Sequence, residues 1–150
     1  MAHRSWLVLL GLAAACGGGV RSVETAAELV IQQPPDEWLL DLIQAAMSAD
    51  ARLEPASSLY AEEATTLANG VTRQLPPRYA GLAPGGEVAI ITSRVVVREQ
   101  LAWVMVEYRW VSTAEGAARE GVATFVMTPA ERGGAGWRIV HAHSSSPPSP

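Results

Sequence analysis

The chain has 150 residues, 49% of them apolar, which is enough for one compact domain with a real core and too little for two. All eleven basic residues are arginine, and against fifteen acidic ones they leave a formal charge of −4. That balance lacks the electrostatic footprint of a nucleic-acid binder, so no nucleic-acid partner is expected.

The first residues, MAHRSWLVLLGLAAAC, place Arg4 ahead of an apolar run from Trp6 to Ala15 and then a cysteine. This is the order of parts in a secretory signal, and the run is too short to anchor a protein across a bilayer. Leu12-Ala13-Ala14-Ala15-Cys16 resembles the lipobox of bacterial lipoproteins, in which the cysteine thiol receives diacylglycerol and becomes the new N-terminus. Ala13 departs from the leucine usual there, and the same alanines satisfy the A-x-A rule of plain secretion, so both readings cut the same bond. Cys16 is the lone cysteine; a lipid would use a thiol that otherwise stays odd and reactive in an exported chain. The expectation is a signal peptide over 1–15 and a protein held at the bacterial cell envelope through lipidated Cys16, with free secretion as the alternative. Residues 16–33 then form a tether and arm: Gly17-Gly18-Gly19 reads as a flexible leash, and Val23 to Gln33 suits a short helix or an extended arm equally.

PPDEWLLDLIQAAMSAD predicts a helix, with Pro35 in the first turn and Asp36 and Glu37 where the helix dipole favours negative charge. Trp38, Leu39, Leu42, Ile43, Ala46 and Met47 recur at helical spacing as one apolar stripe. A second, shorter helix is expected from Pro55, carrying Leu59 and Tyr60 inward.

From Val88 the period changes to two. EVAIITSRVVVR, AWVMVEYRWVS, REGVATFVMT and GWRIVHAHS are rich in β-branched and aromatic residues and are separated by turn-like pieces, so they predict consecutive antiparallel strands. Helices followed by a meander give an α+β domain over 34–146, with a disordered tail at 147–150.

The helix, then SLYAEEAT, then long strands closing in GWRIVHAHSS resemble the SnoaL-like branch of the nuclear transport factor 2-like (NTF2-like) superfamily over Pro34 to Ser146. The resemblance implies an NTF2-like cone: N-terminal helices packed on the concave face of a strongly bent antiparallel β-sheet, with a pocket at the open end. Ketosteroid isomerase, scytalone dehydratase, polyketide cyclases and kinase association domains share that fold, so it does not choose a function. Three readings follow. The first is a pocket that holds a small, partly apolar molecule without turnover; the second is a small isomerase, dehydratase or cyclase-type enzyme using pocket histidine and tyrosine; the third is a homodimeric assembly module.

Strand alternation places Trp137, Ile139, His141 and His143 on one face, opposite Arg138, Val140, Ala142 and Ser144. If that face looks into the cone, His143 lines the pocket mouth and His141 lies deeper, with Tyr60, Trp38 and Trp137 as the aromatic residues meeting a ligand. His143, His141 and Tyr60 are the candidates for acid–base work, and the alternative is that a histidine simply bonds a neighbouring strand. His-x-His also suggests a metal, yet zinc needs further ligands and the third histidine, His3, falls in the signal; neither a metal nor a cofactor is expected. Alternation sets Glu107 and Arg109 with Trp103 and Met105, and the rarity of buried Glu and Arg assigns that face to the outside, in solvent or a dimer contact. The aspartates, Asp36, Asp41 and Asp50, fall in or beside the helix and not on a pocket strand.

Overall fold

The computed structural model describes residues 36–74, 76–130 and 136–148. The expected signal peptide, tether and arm lie outside the described residues, as do Pro34 and Pro35 at the helix entry.

Helix α1 spans Asp36–Arg52. Asp36 and Glu37 occupy its first turn and Arg52 its last, each charge matched to the end of the helix dipole it sits on. Leu39, Ile43, Ala46, Met47 and Asp50 form its buried stripe, spaced by three or four residues as an inward helical face must be. Trp38 departs from the expected stripe and is 65% exposed. Directly after the helix, Leu53 turns the chain with a positive φ of 58°. The expected second helix is only a single 3-10 turn, Ser57–Leu59.

Six strands follow: β1 Tyr60–Ala68, β2 Val71–Arg73, β3 Gly86–Arg98, β4 Leu101–Ser112, β5 Ala118–Pro129 and β6 Trp137–Ser145. The last four are the predicted meander. The stretch YAEEATTLA is also a strand, and its helix-favouring Ala and Glu gave way to pairing with β6. Sheet order is β2-β1-β6-β5-β4-β3. The β1–β6 pair is parallel and the others antiparallel, so the sheet is mixed where a purely antiparallel one was expected. It keeps two edges and does not close into a barrel.

One face of this sheet packs with α1 into the core. Cross-strand register lines up inward residues in rows: Ala102, Met127 and Ile139; Val104, Phe125 and Ala142; Val106, Ala123 and Ser144. Large and small side chains are mixed within and between these rows, which lets the facing layers interlock. Each fully buried Leu, Ile, Phe or Met contributes roughly 1.5–3 kcal/mol relative to exposure. Gln44 Nε2 donates to Val88 O at 2.7 Å, fixing the helix along β3. Gly121 is required by a close approach: a Cβ there would lie 2.5 Å from the Tyr108 hydroxyl end.

Irregularities re-aim residues along three strands. The register shifts between Ile90 and Thr92 in β3, between Tyr60 and Thr65 in β1, and opposite Val126–Met127 in β6, where Met127 pairs with Ile139 and Val126 with His141. Val140 is therefore the bulged residue of β6.

Candidate functional site: a buried carboxylate and an apolar cavity

The last turn of α1 delivers Asp50 into the protein, where its side chain is 2% exposed. Arg78, from the loop between β2 and β3, donates from Nη1 to Asp50 Oδ1 at 2.7 Å. The backbone N–H of Tyr79 donates to Oδ2 at 2.8 Å. Both carboxylate oxygens thus have partners, as a buried charge demands. Burial raises the Asp50 pKa above its ordinary 3.8, outweighing the opposing pull of the Tyr79 N–H and the Arg78 charge.

A chain of polar contacts continues behind this pair. The hydroxyls of Tyr60 and Tyr79 hydrogen-bond each other. Ala80 N–H donates to Ser144 Oγ at 2.9 Å, and Tyr108 Oη donates to Ala80 O at 2.5 Å. Burial pushes Tyr60 and Tyr79 up, and pushes Tyr108 up to about 12 with help from the Asp50 charge. At neutral pH all three phenols keep their protons, so none is a base; within the Tyr60–Tyr79 pair one hydroxyl donates and the other accepts, while Tyr108 donates. Their work is to pin the loop from Arg78 to Ala80 onto β1, β4 and β6.

In front of the pair lies a cavity of about 500 Å³ lined by Asp50, Leu53, Glu54, Pro55, Ala56, Ser57, Pro76, Pro77 and Arg78. That volume falls in the range of small-molecule sites. The walls are mostly prolyl and aliphatic carbon. Arg78, with its side chain 42% exposed, sets a guanidinium at the boundary between buried Asp50 and the open space. Glu54 also borders the cavity, with its carboxylate held by Arg52 at 2.9 Å.

The two histidines lie elsewhere. The bulge at Val140 breaks the expected alternation, so Trp137 sits with Ile139 toward the core while His141 and His143 turn to the opposite face, leaving Ala142 and Ser144 inward. The histidines do share a face, but it is the outer one. His141 pairs across to Val126 and on to Trp103, His143 to Thr124 and on to Met105, and Trp103 is 53% exposed. Nδ1 of His141 hydrogen-bonds Thr65 Oγ1 at 2.9 Å, and His143 is exposed. Glu107 and Arg109 lie on this same outer face, both exposed, as alternation along β4 predicts.

The five residues proposed from sequence for one ligand site are therefore distributed over three places. Tyr60 is in the core, His141 and His143 are on the outer face, and Trp38 and Trp137 border a separate groove at the N-terminal end of α1. Sequence reasoning passed over Asp50 because it stands on a helix. The signal that finds it is spacing: Asp50 continues the Leu39, Ile43, Ala46, Met47 stripe, so a carboxylate there must be buried and must find partners. Among the described residues, no cluster of three or more His, Cys, Asp or Glu is placed to hold a metal.

No protein-family model and no curated protein sequence matches the chain. Solved structures do. A protein of unknown function with a cystatin-like fold from Nostoc punctiforme PCC 73102 superposes with a TM-score of 0.61 at 8% identity, over 76% of this chain and 92% of that one. An NTF2-like protein of unknown function from Shewanella oneidensis MR-1 gives 0.54 at 18% identity over 75% and 99%. The association domain of CaMKII from C. elegans gives 0.57 at 14% identity over 73% and 94%. At these identities the likeness is one of architecture, and it agrees with the helix, the mixed sheet and the strand order described above: the chain carries an NTF2-like fold.

Proposed function

We propose that this protein is an exported, lipid-anchored domain that holds a small, partly apolar molecule in the cavity beside Asp50 and Arg78, without turning it over. One observation carries the reading: a buried carboxylate spends its two oxygens on orienting a half-exposed guanidinium and its loop at the edge of an apolar cavity. Such an arrangement is suited to recognition, with a few placed polar groups among carbon walls. The signal-like N-terminus and Cys16 support the anchoring part. Intact mass of membrane-extracted protein tests it, and an unmodified Cys16 in the soluble fraction would replace anchoring with free secretion.

The binding part is tested by titrating wild-type protein and Ser57→Trp with a panel of small amphipathic compounds. Ser57 is exposed and borders the cavity, so the indole should block the space while leaving the melting temperature almost unchanged. Saturable binding lost in Ser57→Trp supports the reading. Equal binding by both proteins, or by neither, refutes it.

A second reading has its own observation. The outer sheet face exposes Leu101, Trp103, Met105 and Val122 at 41–53%, more contiguous apolar surface than scattered exposure explains. Arg94 and Arg98 lie toward one end of that face, and Glu87, Glu107 and Glu120, with Arg109 among them, toward the other, a net polarity that a two-fold antiparallel packing of two copies would pair. Homodimerisation through this face is compatible with ligand binding on the other side of the sheet. Sedimentation of the unlipidated Cys16→Ser chain should show a dimer that Trp103→Arg reduces to monomer; a wild-type monomer at high micromolar concentration would end this reading.

A further inference from the structure

Resting on the reading of the Asp50–Arg78 cavity as a ligand site, we propose that its ligand is an amphipathic monocarboxylate: a free organic acid whose carboxylate meets Arg78 and whose apolar body lies against Leu53, Pro55, Ala56, Pro76 and Pro77.

The geometry of the guanidinium carries this. Among the described residues, Arg78 makes its hydrogen bonds from Nη1, to the carboxylate and the backbone oxygen of Asp50. Arginine has five N–H groups in a planar fork, so the edge formed by Nε and Nη2 remains to be satisfied. With the side chain 42% exposed, that edge is met by water or by a ligand. A carboxylate matches it with two parallel N–H···O bonds, the arrangement in which arginine discriminates most strongly. Neutral hydroxyls fill one such bond, and ammonium groups fill none and are repelled.

The surrounding charges are compatible with an anion. Asp50 neutralises the inner side of Arg78 but has both oxygens engaged and lies almost wholly buried, so it offers an incoming ligand no acceptor. Glu54 is the other carboxylate at the rim, and it is paired with Arg52. The walls supply the second half of the specificity. Three prolines, Ala56 and Leu53 present carbon, and each methylene of a ligand buried there gains roughly 0.8 kcal/mol. A bare anion would miss this gain and a bare hydrocarbon would miss the fork. The ligand class that uses both is an acid with an aliphatic or aromatic body.

A series that holds the body constant and changes the head tests the assignment. The mature-length Cys16→Ser protein is titrated with octanoate, 1-octanol and octylamine, and with acetate as a head without a body. Octanoate should bind about tenfold or more tightly than octanol, the difference expected for hydrogen bonds to a charged group, with octylamine and acetate weaker still. Arg78→Lys keeps a cation against Asp50 and so protects the fold, but removes the fork; it should lose most of the octanoate preference while octanol binding is unchanged. Arg78→Gln repeats the test without charge, read only if its circular dichroism is native. If octanol binds as tightly as octanoate and Ser57→Trp blocks both, the cavity is a ligand site and the anion assignment falls. Octanoate binding that Arg78→Lys leaves intact also overturns it. If no compound binds, the cavity reading falls together with this one.

Discussion

The two faces of one strand, β4, present the same kinds of residue to different surroundings. Inward it shows Ala102, Val104, Val106, Tyr108 and Trp110, all buried; outward it shows Leu101, Trp103, Met105, Glu107, Arg109 and Val111, all exposed. Apolar content alone does not separate the faces, since the outer one carries a tryptophan, a methionine and a leucine. What separates them is fit. The inner face packs with Phe125, Met127 and the α1 stripe in one buried core, and the Tyr108 hydroxyl on it has an acceptor at Ala80. The outer face has no such complement among the described residues.

The sharpest way to break this comparison is to truncate one aromatic from each face. Phe125→Ala should cost about 3–5 kcal/mol by denaturant unfolding, as large-to-small changes at fully buried aromatics do. Trp103→Ala should stay within about 0.5 kcal/mol under conditions where the protein is monomeric. A comparable loss for Trp103 at dilutions where no dimer forms would show that the outer face is covered by the chain itself.

Next in size is Gly121→Ala on the inner face. The added methyl would meet the ring and hydroxyl of Tyr108, and overpacking of this kind costs about 1–3 kcal/mol. Pairing it with Tyr108→Ala should recover part of that loss if the clash is the cause. The double mutant measured against both singles decides.

A smaller and pH-dependent effect belongs to Asp50. Its folded pKa is raised above 3.8 by burial, so between the unfolded and folded values the native state binds more protons than the unfolded chain. Its contribution to stability therefore falls as pH rises through that window and is level on either side. Asp50→Asn removes this step. Melting temperatures of wild type and Asp50→Asn across the acid range should converge or cross as pH rises through the window, and parallel curves would refute the assignment.

The smallest expected change is His143→Ala. An exposed histidine on the outer face makes few buried contacts, and its loss should shift stability by less than about 0.5 kcal/mol. It should also leave octanoate binding as it is, since the cavity lies at the end of α1. Loss of binding in this variant would return the histidine to the ligand site and contradict its position on β6.

Local patterning was enough to identify much of this protein. Helix α1 follows from the three-and-four spacing of Leu39, Ile43, Ala46 and Met47 behind two acidic residues, and β3 to β6 follow from β-branched runs divided by turns. Alternation put Glu107 and Arg109 on one face, and the rarity of buried Glu and Arg assigned that face to the outside, where both lie. These are properties of neighbouring residues, and period and charge report them directly. Long-range pairing decided the rest. β1 is a strand because its backbone meets β6 in parallel, an event remote in sequence that its Ala- and Glu-rich composition does not announce. One bulged residue, Val140, reversed the faces of His141 and His143, because a single insertion in a period-two pattern moves every later side chain across the sheet. And Asp50 became the centre of the candidate site only when folding brought Arg78 and the Tyr79 amide to it across nearly thirty residues of chain; a buried carboxylate is defined by its partners, and those are set by tertiary structure.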